Sequence, residues 1–585
     1  MLAPRLLTIV LLGAVLGACA TQPPSQRLAP AATPAPAAHA APAVDDGSAY
    51  GLYLAGHVAS EEGRFGAAAA YLERAAAAGE ATDAMRAAAF EAALKAGDVP
   101  AAAALAPAAD DTATADKRLG IVVRGVEAMA EGKPKAAYAL LATDEMGYPY
   151  RTVARLVAPY AAAGSADAAD AVTRPALDGD AIGQFIGDLD QAGLEARLGK
   201  PHDAEVAYKA LMQNGDPSGM VTAAYGAFLE RQGRANEAAA LYQARLAHSP
   251  DDARAAAALA RAQKHGRPPP AGSLAQNAAA SLIIPSASLI SQKQNDVALD
   301  YLRLALRLDP ANDEAWMLVG DLAGDDDPNA ARDAYGHVSP ASDRYLAARG
   351  KLAWSFQNEG DHAEALKLAR ETAAAAPKDR EAAMTLADLL RVNEQYADSA
   401  AVLTRLIDAP DGKPDWRLYF LRASAYDEVG DAQKTQADLT QALKLNPGDP
   451  ELLNFQGYFW IDRGEHLQEA LAMVQKAVDA DPQSGAMIDS LGWGYYRMGD
   501  YRTAVDTLEQ AVQLDPSIPE VNDHLGDAYW RVGRKTEAEF QWRRVLSLTP
   551  EPALKARAEA KLASPLGPDA PGPPPASSPA PAKPQ

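Results

Sequence analysis

"MIDSLGWGYYRMGDYRTAVDTLEQAVQLDPSIPE" (Met487–Glu520) is followed directly by "VNDHLGDAYWRVGRKTEAEFQWRRVLSLTPEPAL" (Val521–Leu554). Laid one over the other, the two segments carry matching residues at marker positions with a constant offset of 34 residues. Leu491-Gly492 returns as Leu525-Gly526, Tyr495 as Tyr529 and Gly499 as Gly533. Ala504 returns as Ala538, Leu508 as Trp542 and Pro516 as Pro550. Each choice has a physical reason. A glycine after the leucine lets a first helix approach a second closely. Gly499 and Gly533 supply the left-handed residue that ends the first helix. The small alanines admit the return packing, and the prolines stop the second helix because they lack an N–H and clash with the preceding turn.

The pattern resembles the tetratricopeptide repeat, a helical hairpin that buries its apolar face only by stacking on neighbours. It extends backwards with decreasing fidelity. Gly457, Trp460, Gly464, Ala470 and Pro482 mark a repeat with one inserted residue, and Ala423, Tyr426, Gly430, Leu439, Ala442 and Pro447 mark another. Ala353, Phe356, Gly360, Ala365 and Pro377 give a third, and Gly226, Gly233, Ala238, Tyr242 and Pro250 fit well in the first half. The expected fold class is all-α, a tetratricopeptide-repeat superhelix of roughly twelve to fourteen hairpins. "HGRPPPAGS" (265–273) interrupts the helical pattern with three prolines. It is read as a hinge between a degenerate arm, residues 47–264, and a regular one, residues 274–563.

The amino terminus carries a different signal. One arginine within Met1–Arg5 precedes an apolar run of eleven residues, Leu6–Leu16, and then small residues. That is the layout of an export signal, with a core too short for the ~20 residues a bilayer span needs. Cys19 in "LGACATQPP" (16–24) is the only cysteine in 585 residues. Leu16-Gly17-Ala18-Cys19 resembles the lipobox of bacterial lipoproteins, which implies removal of residues 1–18 and lipidation of Cys19. An ordinary signal peptide with an incidental cysteine is the alternative. Ala20 stands where an inner-membrane retention signal places Asp, which favours the periplasmic face of the outer membrane. Residues 20–46 and 564–585 are rich in Pro and Ala and are expected to stay disordered, the first as a spacer.

Composition narrows the function. A net charge of −22 at pH 7 argues against nucleic acid as a partner, since phosphate binding rests on Lys and Arg. No second cysteine exists to form a disulfide or a thiolate metal cluster. No catalytic, nucleotide-binding or metal-binding motif is read, and no cofactor is expected. "GDDDP" (324–328) lacks the spacing of a calcium loop and reads as a solvated turn. "NDHLGD" (522–527) reads as a helix start, with Asn522 or Asp523 as the cap.

Aromatic placement points to a surface. All seven tryptophans lie after the proline break. Trp354 and Trp493 fall at the ninth repeat position and Trp530 at the twelfth, positions that face the concave groove in this repeat. Tyr458 is also ninth and Tyr496 twelfth. The same face carries Asn454, Asp489, Arg497, Asp523, Asp527 and Arg531. Aromatics beside arginines and carboxylates suit a protein interface; alternatively, these rings pack against the neighbouring first helix. Chaperone-tail-binding repeats clamp a terminal carboxylate with Lys and Asn. Asp489, Asp523 and Asp527 would repel one, so a mixed or basic partner surface fits better.

Lipobox, spacer, repeats and the ending "NDHLGDAYWRVGR" together resemble a family of proteobacterial outer-membrane lipoproteins. Some members are adaptors that bind a periplasmic carboxyl-terminal processing protease and present peptidoglycan hydrolases to it. The resemblance implies a non-enzymatic scaffold anchored to the membrane through its lipid. A scaffold for polysaccharide export or peptidoglycan synthesis, and a cell-wall enzyme with a cryptic site, are the alternatives.

Overall fold

A computed structural model describes residues 48–78, 82–107, 114–143, 146–165, 168–173, 176–324, 326–409 and 414–564. The signal segment, Cys19, the whole spacer and the tail from residue 565 lie outside the described residues. Every regular element among the described residues is helical, and successive helices pair as antiparallel hairpins.

The hairpins form because a glycine on the first helix meets a large residue about sixteen positions later on the second. A Cβ on Gly492 would stand 2.6 Å from Leu508 Cγ, and one on Gly526 2.6 Å from Trp542 Nε1. Leu508 and Trp542 are fully buried. The same meeting joins Gly56 to Leu72, Gly125 to Leu141 and Gly226 to Tyr242. The degenerate first half is therefore built on the same register as the regular second half. Gly499 and Gly533 end their helices at φ 86° and 85°. Carboxylate and hydroxyl caps open many of the helices, as Asp500 does by accepting from Thr503 N at 3.2 Å and Ser484 from Met487 N at 3.4 Å. Such a cap satisfies a backbone N–H that the helix cannot.

The chain parts into two compact units, residues 1–361 and 362–585. This corrects the division expected at residues 265–273. The helix after the prolines, Leu274–Ser291, is apolar over 18 residues, long and apolar enough to cross a membrane by composition alone. It is instead part of the core: Ala278, Ala279 and Leu282 are fully buried and join one cluster with Val153, Val157 and Leu194 from before the break. So apolar a helix needs cover on more than one side, and the earlier helices Arg151–Gly164 and Ala181–Arg197 supply it. The next helix, Asn295–Leu308, continues the seam. Tyr150 donates to Asp300 at 3.1 Å, Tyr301 to the Pro149 carbonyl at 2.6 Å, and Arg307 forks onto Glu127 at 2.7 and 2.8 Å. Arg197 also holds the proline-rich segment through the Gly272 carbonyl at 2.8 Å. The prolines thus join two parts of one unit.

Asp190 sits half-buried in this seam, and desolvation pushes its carboxyl up to about 7 against the hydroxyls of Ser281 and Tyr160. One carboxylate oxygen has no partner, and the group lines a cavity of about 10 Å³ shared with Arg155 and Gln191. Because the folded-state value lies above the unfolded one, the folded chain holds the proton longer. Stability therefore falls as pH rises from about 4 to about 7 and levels off beyond. Asp190→Asn keeps an acceptor for the hydroxyls and removes the ionisation. It is expected to raise the first unit's Tm by a few degrees at pH 8, with the gain gone by pH 4, as followed by circular dichroism.

Candidate functional site

In the second unit the first helices of successive hairpins are linked to one another at spacings close to the repeat. Arg497 donates to the Asp462 carbonyl at 2.7 Å across 35 residues, and His524 Nδ1 meets both oxygens of Asp489 at 3.0 Å, also 35 apart. Arg531 Nε donates to the Tyr496 hydroxyl at 3.1 Å across the same spacing. Arg463 pairs with Asp427 at 3.1 Å. These bonds place positions five, twelve and thirteen of helices Pro450–Arg463, Gly485–Met498 and Pro519–Arg531 on one shared face.

The face is an aromatic and charged network. Trp493 is 1% exposed. Its ring stacks on Tyr496 at 4.6 Å and on the His524 imidazole at 4.2 Å, within 13° of parallel in both cases. Burial lowers the His524 pKa, but the charge and hydrogen bonds of Asp489 outweigh it and raise the value above that of a free histidine. The imidazolium is thereby favoured, and a positive ring lies flat on an indole. Tyr496 closes the row with its edge toward Tyr501 at 5.3 Å.

A second group lies beside the first. Lys561, from the terminal helix Pro552–Ala563, puts its ammonium 2.7 and 2.8 Å from the two oxygens of Asp523 and 2.7 Å from Asp527. Trp542 Nε1 donates to the same Asp527 oxygen at 3.0 Å. Lys561 is 6% exposed and Asp527 0%. Burial opposes the lysine's charge, and the two carboxylates more than restore it, so its pKa is raised.

The expected groove residues therefore divide. Asp489, Trp493, Tyr496, Asp523 and Asp527 are buried; their side chains pack and pair inside the stack, which corrects the expectation that they line an open surface. The three aspartates do not present unopposed charge, because His524 and Lys561 face them. Asn454, Tyr458, Arg497, Trp530 and Arg531 are half-buried and keep part of their surface on the outside of this network. Trp530 lies under Lys535 at 5.0 Å. Trp354, also half-buried, belongs to the first unit, on helix Tyr345–Asn358. The capping role expected of Asn522 or Asp523 is also corrected. The helix begins earlier, at Pro519, and Asn522 donates back to the Ile518 carbonyl at 2.7 Å while Asp523 binds Lys561.

Lys561 escaped the reading of the sequence, although a signal for it exists. It stands 34 residues after Asp527, and Arg557 stands 34 after Asp523. Both continue the repeat register into a final helix that has no return partner among the described residues.

Comparison with known proteins places these repeats. A family model described as a TPR repeat matches residues 494–533, and one described as a tetratricopeptide repeat matches residues 351–414 and 420–485. A TPR repeat-containing protein of Pseudomonas aeruginosa, PA4667, is 28% identical over 191 residues, 32% of each chain. The human protein O-mannosyl-transferase TMTC1 is 24% identical over 155 residues, 26% of this chain and 17% of that one. The matches thus span less than two thirds of either relative. Among solved structures, the anaphase-promoting-complex assembly Cut9-Hcn1 is 15% identical, with 88% of this chain and 96% of that one covered at a TM-score of 0.36. A tetratricopeptide repeat protein from Parabacteroides merdae is 14% identical, with 48% and 97% covered at a TM-score of 0.34. The fold class is all-α and tetratricopeptide-repeat, an architecture of protein–protein interaction.

Proposed function

We propose that this chain is a non-enzymatic adaptor, held at the periplasmic face of the outer membrane by a lipid on Cys19. It brings a carboxyl-terminal processing protease together with cell-wall hydrolases. The observation that carries the binding role is the half-buried strip of Tyr458, Arg497, Trp530 and Arg531 on the shared face of three successive hairpins. Its rings and guanidinium groups are already oriented by the buried network beneath them, which lowers the ordering cost of docking a partner. Aromatic and arginine side chains of this kind dominate interface energetics. The membrane and protease parts of the proposal are supported by the lipobox and by the resemblance to adaptor lipoproteins.

Trp530→Ala combined with Arg531→Ala tests the binding role. Both side chains are partly outside, so the helical circular dichroism signal is expected to stay unchanged. Recovery of partners from envelope extract is expected to fall at least tenfold, as loss of two anchors worth about 1–2 kcal/mol each implies.

A further inference from the structure

The seat of Lys561 is built like a receptor for a cation. Two carboxylates converge on one ammonium at 2.7 to 2.8 Å, and the Trp542 ring stands 5.9 Å from the same nitrogen. The second oxygen of Asp527 has no hydrogen-bond partner, although the residue is wholly buried. That is a demand the present occupant leaves unmet. The seat belongs to positions five and nine of the last complete repeat, on the face shared with Tyr458 and Arg531.

The occupant is lightly held. Apart from Lys561, the terminal helix buries Leu554 and Ala558, in a cluster with Val545. A helix with so few buried apolar residues opens at low cost. Its charges also reach the first helices of earlier repeats. Glu551, the residue before its first turn, is among the carboxylates that, after burial, push Glu428 up to about 7. Arg557 is among the charges that act on Tyr458.

We infer that the Asp523/Asp527 seat recognises a lysine or arginine side chain of a protein partner, and that the chain's own terminal helix fills it until the partner displaces it. The inference rests on the scaffold reading above and adds the partner's chemistry, a helical segment with a basic residue. Charge complementarity selects it: a pair of buried aspartates accepts a cation and rejects an acidic segment.

The probe is a labelled peptide of residues 549–564, added to the full-length chain. It is expected to bind a Lys561→Ala chain at least tenfold more tightly than the unsubstituted chain, whose seat is taken. The same peptide carrying its own Lys561→Ala is expected to bind the vacated seat at least tenfold more weakly. Equal binding of the two peptides, or no gain on vacating the seat, overturns the inference. Since Lys561→Ala could unfold the last repeat, hydrogen exchange on the unsubstituted chain gives a second arm. The amides of Pro552–Ala563 are expected to exchange at least tenfold faster than those of Pro519–Arg531, and equal protection overturns the inference. Partners recovered equally from envelope extract by the unsubstituted and Lys561→Ala chains overturn the seat and leave the scaffold reading standing. No partner recovered by either overturns both.

Discussion

Trp493→Ala is expected to destabilise the second unit by about 3–5 kcal/mol, the cost of emptying a tryptophan-sized space in a core. The side chain is 1% exposed, and the rings of Tyr496 and His524 lie flat on it. Its removal withdraws both stacks and leaves the His524–Asp489 pair beside a void. Denaturant unfolding followed by circular dichroism measures the loss as a lower midpoint. Trp493→Phe is the informative companion. The indole N–H has no partner, so phenylalanine gives up no hydrogen bond and keeps most of the stack, and it is expected to cost under about 1.5 kcal/mol. A midpoint unmoved by Trp493→Ala would place the residue outside the core. Any loss of partner binding by this variant is then read as loss of fold, which is why the binding test uses Trp530 and Arg531.

Gly226→Ala carries the second large effect, in the first unit. The helix Met220–Arg231 has ordinary helical geometry at this glycine, so alanine would gain about 1 kcal/mol in propensity. Packing reverses the sign. The new Cβ would fall far inside 3.0 Å of the Tyr242 ring. That ring cannot retreat: Tyr242 is 1% exposed, and its hydroxyl donates to Glu230 at 2.8 Å. Arg261 holds Glu230 in turn at 2.8 and 2.9 Å. Overpacking at such a contact costs about 1–3 kcal/mol beyond the propensity gain. A net loss of about 2 kcal/mol in the first unit is expected, read from its unfolding midpoint. Tyr242→Ala makes room, so the added methyl at Gly226 should cost nothing further in the double variant, and a double-mutant cycle isolates that coupling. Additive effects would deny the contact.

These two sites show what the sequence makes readable and what it does not. Gly226 and Tyr242 sit sixteen residues apart, as Gly492 and Leu508 do, because one small and one large residue at that spacing is the steric condition for closing a hairpin. Wherever both survive, the repeat can be read; Gly125 and Leu141 carry it even in the alanine-rich half. The arm boundary at residues 265–273 was misread for a physical reason. Prolines end a helix locally, but they do not decide where the next helix buries its surface. Leu282 and Ile283 found theirs against helices before the break.

The site was legible as a face and not as a surface. Repeat position brought Asp489, Trp493, Tyr496, Arg497, Asp523, Asp527, Trp530 and Arg531 together correctly. Whether a residue at position nine is open or closed depends on what the next helix lays over it. For Asp527 that was Lys561, in the helix after the last proline mark, where Ala560 stands at the position of the marker glycine. Tyr496 and Trp530 share position twelve, yet one is buried and the other half-open, since only the former has Arg531 above it. Register alone cannot separate such pairs.

On the proposed reading, the shared face of the last hairpins, and not the outer side of the stack, binds protein. Phe540, on the return helix Lys535–Ser547, is 65% exposed and supplies the control. Partner recovery from envelope extract is measured for the unsubstituted chain, for Trp530→Ala with Arg531→Ala, and for Phe540→Ala. At least tenfold loss is expected for the double variant and full recovery for Phe540→Ala. Full recovery by the double variant, with loss confined to Phe540→Ala, would contradict that reading.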